Sequence, residues 1–341
     1  MRKDPVIAIA GATGLVGNEM LVCLEQSGLK PRAVRLFASE DSVGELYKIG
    51  EHEAVVELLT DESFKGVDIA LFATSAELSK RFVPAAVEAG AVVIDNSSHF
   101  RLDPAVPLIV PEVNAHLLGG GARVIANPNC STIQLVPVLH AIEQAAGVRR
   151  VVVTTFQSVS GAGKDALDEL WGQTLSIFNQ QDMPREVFPH QIAFNCIPQI
   201  DAFTETGYTK EELKIIEESR KILNLPELAI TATAVRVPVF HGHAESVNVE
   251  TVRPLSPAEC RRVLADVPGV EVHHGDAEYP LQIDVAGTDD IHVGRIRQDL
   301  SAPHGLNMWI VADNVRKGAA LNAVQIAQLL VNGRVQRSSH H

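Results

Sequence analysis

Five apolar residues, Val6-Ile-Ala-Ile-Ala10, run straight into glycines at positions 11, 14 and 17, and no other feature narrows the fold of this chain as far. A short, continuous apolar run reads as a strand buried on both faces, and the glycines let it turn at once into an amphipathic helix ending near Gln26. Gly-x-x-Gly-x-x-Gly at such a junction offers a tight turn, close backbone approach and a helix N-terminus, which together suit a pyrophosphate. The spacing departs from the commoner GxGxxG form, so its placement after a first strand carries the reading. Gly11, Ala12, Thr13, Gly14, Leu15, Val16 and Gly17 are the candidate cofactor contacts. Short apolar strands follow at 34–37, 69–72 and 92–94, with a helical segment at 78–88, and Ala126 closes the unit. This alternation is the pattern of an α/β, Rossmann-type parallel sheet covered on both faces.

The character then changes. Residues 148–159 and 229–253 form long β-branched runs, and 283–285, 292–294 and 306–310 add shorter strands. Helical segments at 164–179, 209–223 and after Ser256 lie between them. The expectation is an α+β domain built on a large mixed sheet with helices on one side. The run at 229–239 is more apolar than one buried face requires, which marks an association surface.

With 341 residues the chain can carry two domains, and 46% hydrophobic against 21% charged residues describes a folded protein. Its formal net charge is −13, with no basic block longer than Arg149-Arg150, so nucleic acid is excluded as a partner. No apolar run approaches the ~20 residues of a membrane span and no signal-peptide pattern opens the chain, so a cytoplasmic location is expected. Cys23, Cys130, Cys196 and Cys260 have no CxxC or Cys/His ligand spacing, which fits a reducing compartment and argues against a zinc site; no metal is expected. His340 and His341 read as the stub of a tag.

Cys130 stands out among these cysteines. It follows an apolar run at 122–126 and a proline turn, and precedes an amphipathic segment at 133–146, so it should sit where a loop enters a helix. Amides at a helix entry stabilise a thiolate and can hold an oxyanion. Gln157 ends an apolar strand before the Gly161-Ala-Gly163 turn, where a neutral amide can orient an acyl group without competing for protons. His241 and His243, two apart, could share a strand face, and an imidazole of near-neutral pKa can take a thiol proton and manage proton transfer. Glu211 and Lys214 form an ExxK pair on one helix face.

These residues lie in stretches that resemble the aspartate-semialdehyde dehydrogenase family. The shared stretches are Gly11-Ala-Thr-Gly-Leu-Val-Gly17, Asp95-Asn-Ser-Ser-His-Phe-Arg101, Pro111-Glu-Val-Asn114, Asn127-Pro-Asn-Cys-Ser-Thr132, Gln157-Ser-Val-Ser-Gly-Ala-Gly163 and Arg236-Val-Pro-Val-Phe-His-Gly-His243. Their order and spacing span essentially the whole chain. The resemblance implies reduction of β-aspartyl phosphate to aspartate β-semialdehyde with release of inorganic phosphate, feeding lysine, threonine and methionine synthesis. It implies Cys130 as nucleophile, His243 as acid/base and Gln157 as orienting amide. It further implies Asn129 placing substrate, Arg236 forking onto the α-carboxylate, Glu211 on the amino group, and Lys214 and Arg101 on the phosphate side. Ser160, Gly161 and Asn314 are expected on the cofactor. The resemblance also implies homodimers through the catalytic domains and a last helix that returns to the first domain. The expected division is therefore 1–130 with 316–341, and 131–315.

One position departs from the family pattern. A residue that clamps the 2′-phosphate is commonly arginine there, and here Glu40 and Asp41 stand between Ser39 and Ser42. The serines could donate to a 2′-phosphate, whereas the carboxylates favour a free ribose 2′-hydroxyl. NADP is expected from the family, with NAD admitted by the acidic pair. The alternatives are an N-acetyl-glutamyl-phosphate reductase, whose cysteine is typically followed by Tyr-Pro rather than Ser131-Thr132, and a non-catalytic relative that keeps the fold.

Overall fold

The computed structural model describes residues 2–50, 52–275 and 277–333; the end of the expected last helix and the two terminal histidines lie outside the described residues. The chain divides into two compact units, Met1–Asn129 with Ala319–His341, and Cys130–Gly318. Cys130 thus opens the second unit, and Arg316 to Gly318 belong to it as well.

The first unit is a seven-stranded sheet in the order β3-β4-β2-β1-β5-β6-β7. Its strands are β1 (Val6–Ala10), β2 (Ala33–Ala38), β3 (Leu46–Ile49), β4 (His52–Leu58), β5 (Ile69–Phe72), β6 (Val92–Asp95) and β7 (Val124–Ala126). All pairings are parallel except β3 with β4, a hairpin that the sequence reading did not anticipate. Its signal is the alternation in β4, where Ala54 and Val56 are buried between exposed neighbours. The helices are α1 (Leu15–Gln26), α2 (Ala76–Glu88) and the single turn α3 (Pro111–Asn114). Strand order reverses around β1, so the crevice at its carboxyl end is the switch point at which an open α/β sheet binds ligands.

The second unit begins with α4 (Cys130–Ala146), followed by β8 (Val148–Gln157), α5 (Lys164–Asn179), α6 (Lys210–Leu223), β9 (Ala229–Arg236), β10 (His243–Thr251), α7 (Pro257–Ala265), β11 (Val270–Val272), α8 (Gln282–Val285), β12 (Ile291–Gln298) and β13 (Gly305–Ala312). Its six strands run β11-β12-β13-β10-β8-β9. β8 with β9 and β11 with β12 are parallel and the other pairs antiparallel, which makes the sheet mixed. Leu135, Leu139 and Ile142 of α4, Ile215 of α6 and Leu264 of α7 form one core with Val153, Val247, Val293 and Ile310 of the sheet. Thr209 and Ser256 cap α6 and α7, each with a reciprocal Glu three residues on.

Two strand expectations are corrected. Residues 283–285 are not a strand but part of the helical turn α8, in which the Asp284 and Val285 amides donate to the Leu281 carbonyl. Three apolar-polar residues between Pro280 and Gly287 are too few to distinguish the two periods. The 229–253 run is two strands, because Pro238 lacks the amide a ladder needs and Gly242 takes φ +83° at a turn. The last helix, α9 (Asn322–Asn332), follows a π-helical stretch at Arg316–Leu321. Ala323, Val324, Ile326 and Ala327 join the core of the first unit, beside Ile7, Ile9 and Leu24. Among the described residues no helix is long and apolar enough to cross a membrane.

Candidate active site

Strand alternation brings the candidate residues of the second unit onto one face. Along β8, β9 and β10, Val151, Ile230 and Val249 form one cross-strand row, and Val153, Ala232 and Val247 form the next; all are buried. Two rows further, the same face ends in Arg236, Gln157 and His243, directly opposite one another on adjacent strands. Neighbouring strands lie about 4.8 Å apart, so this row spans roughly 10 Å. Arg236 is 5% exposed, Gln157 1% and His243 0%, so three polar side chains are buried where the apolar face stops.

The row is fixed by its partners. Gln157 Nε2 donates to Ser131 Oγ in the first turn of α4 at 3.0 Å and to Glu211 Oε1 at 3.2 Å. Lys214 Nζ lies 3.3 Å from Glu211 Oε2 and 2.9 Å from Asp201 Oδ2, so the ExxK pair is tied back to a loop carboxylate. Burial alone would raise the pKa of Asp201, but the Lys214 ammonium outweighs it and holds the carboxyl below its ordinary value. Arg236 Nη1 donates to the Ser158 carbonyl at 2.7 Å. Burial lowers the pKa of its guanidinium, while the charges of Glu211 and Cys130 pull it back up. The arginine therefore stays cationic and attracts both the carboxylate and the thiolate.

Cys130 is the first residue of α4 and half-buried. Gly318 backs it: a Cβ there would lie 2.9 Å from Cys130 Cβ. Gly161 lies against the row itself, where a Cβ would meet Arg236 Nη1 at 2.8 Å and His243 Nε2 at 3.1 Å. Arg236 and His243 thus converge on one small residue.

His243 is oriented by the strand end beside it. The Ser158 amide donates to His243 Nδ1 at 3.1 Å, so the neutral ring carries its proton on Nε2. Burial first, and the Arg236 charge second, bring its pKa down to about 3 against an opposing pull from the Gly242 backbone. In this tautomer Nε2 carries the N–H. His241 does not share its strand face, since β10 begins at His243 and His241 lies in the preceding turn.

Asn314 and Ser160, expected on the cofactor, are buried and bonded to each other. Asn314 Oδ1 accepts from Ser158 Oγ, Ser160 Oγ and the Gly242 amide at 3.1, 3.1 and 2.9 Å, and its Nδ2 donates to Ser160 Oγ at 3.0 Å. This knot holds the two turns that carry Ser158 and His243. Sequence reasoning also missed Glu245, two residues beyond His243 on the same inward face and fully buried. Burial raises its pKa well above the ordinary value, and Gln134 lowers it, though neither side chain makes a hydrogen bond of normal length and angle. A period-two reading of β10 from His243 would have found it.

The first unit holds Arg101, Asn129 and the glycine loop. Arg101 is buried, with Nε donating to the Asn127 carbonyl at 2.9 Å and Nη2 to the Asn96 carbonyl at 2.6 Å. Asn129 is buried and immediately precedes Cys130 in the chain. Gly11 takes φ +80°, and a Cβ there would meet the Ala73 carbonyl oxygen at 2.4 Å; one on Gly17 would meet the Gly11 oxygen at 2.1 Å. Gly14 is exposed at the N-terminus of α1. Two glycines close the turn and the third leaves it open, which fits a nucleotide pyrophosphate. Ser42 Oγ donates to Thr13 Oγ1 at 3.2 Å, while Ser39, Glu40 and Asp41 are exposed beyond the end of β2.

A parallel sheet with a nucleotide-type glycine turn, and a mixed-sheet unit bearing a helix-entry cysteine, a buried arginine and a buried histidine, are the features of a dehydrogenase of the acyl-transferring class. Comparison with known proteins narrows this. Residues 6–120 match the family model "Semialdehyde dehydrogenase, NAD binding domain", and residues 139–317 match "Semialdehyde dehydrogenase, dimerisation domain". The aspartate-semialdehyde dehydrogenase of Aquifex aeolicus is 50% identical over 331 residues, covering 95% of this chain and 97% of that protein. Aspartate-semialdehyde dehydrogenase 2 of Vibrio cholerae is 49% identical over 328 residues, with coverage of 95% and 97%. The crystal structure of the Vibrio cholerae aspartate semialdehyde dehydrogenase II complexed with ASA superposes with a TM-score of 0.94 at 48% identity, covering 97% of this chain and 99% of that one. This chain belongs to the aspartate-semialdehyde dehydrogenase family, and it carries a nicotinamide-nucleotide-binding domain.

Proposed function

We propose that the chain reduces L-4-aspartyl phosphate to L-aspartate 4-semialdehyde with release of inorganic phosphate, and runs the reverse oxidation when phosphate is supplied. The observation that carries this reading is the Arg236–Gln157–His243 row, with Cys130 in electrostatic reach of Arg236. Cys130 reacts as a thiolate, favoured by Arg236 and by the entry of α4. Its sulfur bonds the acyl carbon, the carbon–oxygen bond to phosphate breaks, and phosphate leaves with the electron pair. The nicotinamide, when bound, supplies the hydride that reduces the resulting thioester carbon. His243 Nε2–H donates to the oxygen on which negative charge develops, and Gln157, held by Ser131 and Glu211, orients the acyl group. The carbonyl re-forms, the carbon–sulfur bond breaks, and the thiolate is restored. The proton consumed overall is taken from solvent by the departing phosphate, so the donor tautomer of His243 is sufficient. Arg236 pairs with the α-carboxylate, Glu211 with the ammonium, and Lys214 and Arg101 with the phosphate.

NADP is the proposed cofactor and a homodimer in the cytoplasm the proposed working form. The exposed Glu40 and Asp41 weaken selection of the 2′-phosphate, so NAD is expected to be used as well. Asp41→Arg should raise the NADP-to-NAD preference by about tenfold or more, worth about 1.4 kcal/mol. Unchanged constants for both cofactors would place Asp41 outside the pocket. The decisive assay is phosphate-dependent cofactor reduction with aspartate semialdehyde beside N-acetyl-glutamate semialdehyde. Activity confined to the second substrate would overturn the reading in favour of an N-acetyl-glutamyl-phosphate reductase, and light scattering at micromolar concentration checks the dimer.

A further inference from the structure

The edge of the mixed sheet brings together Glu271, His273 and His292. Glu271 lies on β11 and pairs in register with His292 on the parallel strand β12, and His273, two positions on and one residue past the end of β11, is still bonded to β12 through its amide and the Val293 carbonyl. His273 Nε2 is 3.3 Å from His292 Nδ1, and Glu271 Oε2 is 3.4 Å from the same nitrogen. Tetrahedral zinc, with bonds of about 2.0–2.2 Å, sets its donors roughly 3.3–3.5 Å apart. Two of the three separations already match. All three donor atoms lie within 4.8 Å of one another, and Glu271 is exposed and free to swing inward for the third.

The orientation of the buried ring is also decided. Thr288 Oγ1 donates its one hydrogen to the Val285 carbonyl at 2.8 Å, so toward His292 Nε2, at 3.2 Å, it can only accept. Nε2 of His292 therefore carries the proton, and Nδ1 offers its lone pair to the cluster. A hydroxyl or carbonyl that fixes the far nitrogen in this way is the usual outer support of a metal-bound imidazole.

We propose that Glu271, His273 and His292 bind zinc(II) or another borderline divalent cation, with solvent as the fourth ligand. The ion clips the edge strand β11 to β12. Binding shifts the His273 proton from Nε2 to Nδ1 through solvent, so neutral imidazoles are kept and no redox partner is needed. The sequence reading argued against zinc because it looked for ligands close in sequence, and these come from two strands separated by a long connection. Imidazole and carboxylate donors select this class of ion over magnesium or calcium.

The test titrates Co(II), then Zn(II), into the full chain and into His273→Ala, Glu271→Gln, Cys130→Ser and a His340→Ala/His341→Ala double variant. His273 and Glu271 are more exposed than His292, so their replacement should spare the fold, checked by metal-free melting. The expected result is one equivalent of tetrahedral-type Co(II) absorption and a melting rise with zinc. Affinity should fall at least tenfold in His273→Ala and Glu271→Gln and be retained in the other two variants. Equal affinity in His273→Ala, or loss of binding in Cys130→Ser or the terminal variant, would overturn the proposal.

Discussion

Gly161→Ala is a one-methyl test of how the site is assembled. Gly161 does not take a left-handed φ, so alanine adds no backbone strain and the effect is steric. The new Cβ would sit 2.8 Å from Arg236 Nη1 and 3.1 and 3.2 Å from His243 Nε2 and Cε1. Ordinary contact begins at 3.4 Å, so the guanidinium must withdraw by about 0.6 Å and the imidazole by about 0.3 Å. Neither has an easy retreat, because Arg236 Nη1 is held by the Ser158 carbonyl at 2.7 Å and His243 Nδ1 by the Ser158 amide at 3.1 Å. Overpacking of this kind costs about 1–3 kcal/mol. A misplacement near 1 Å costs about a hundredfold in rate, so kcat/KM should fall on the order of ten- to a hundredfold. The loss should be shared between KM for the semialdehyde, through Arg236, and kcat, through His243. Alkylation of Cys130 by iodoacetamide serves as the internal control, since the nucleophile itself is not crowded. Steady-state constants within threefold of the parent, in a folded variant, would refute the convergence of Arg236 and His243 on this residue.

Gly318→Ala should have the complementary effect: its Cβ would press Cys130 Cβ at 2.9 Å, slowing both alkylation and turnover, and an unaltered alkylation rate would count against it. Cys130→Ser should remove most turnover while leaving cofactor binding in place, read by fluorescence titration; substantial residual turnover would displace Cys130 as nucleophile. Glu245 has a folded pKa raised above its ordinary 4.5, so its contribution to stability is lost as pH rises above that value, by about 1.4 kcal/mol per pH unit until the folded pKa is reached. Glu245→Gln should remove that slope and gain on the parent from pH 5 upward in denaturant titrations, and parallel curves would contradict the buried neutral carboxyl. His243 works in the opposite sense: its folded pKa near 3 lies below the ordinary 6.5, so stability is complete above pH 6.5 and declines as pH falls through that window, a decline that His243→Gln should reduce.

The residues whose role follows from strand period or helix signals were legible in the sequence. β1 and the glycine turn could be read because a strand buried on both faces needs uninterrupted apolar residues, and α6 and α7 because Thr209 and Ser256 announce their caps. The short pieces were not legible. β3 and β11 have too few residues to show a period, and 283–285 satisfied strand chemistry while local carbonyls drew them into a turn. Within the site, Cys130, Gln157, Arg236 and His243 were named from motifs, but the common row of the last three depends on the register of three strands, which no local pattern encodes. The tautomer of His243 was out of reach for the same reason, since it is set by the amide of Ser158 on another strand end. Asp201, which anchors Lys214, sits in a loop with φ +68° and carries no motif.

Glu245 shows why the row beneath the reactive one matters to the chemistry. It lies two residues from His243 on the same face, about 6.6 Å along the strand. An ionised carboxylate there would compete with Glu211 and Cys130 for the Arg236 charge and would draw the His243 pKa upward. Burial favours the neutral carboxyl, which leaves the Arg236 charge unopposed from this side, and burial with the Arg236 charge likewise favours the neutral ring of His243. The apolar rows of β8, β9 and β10 thus do more than stabilise the sheet. By ending against Glu245, they leave a charged arginine and an uncharged histidine on either side of Gln157 at one end of the face, the combination on which the proposed thiolate attack and oxyanion stabilisation rest.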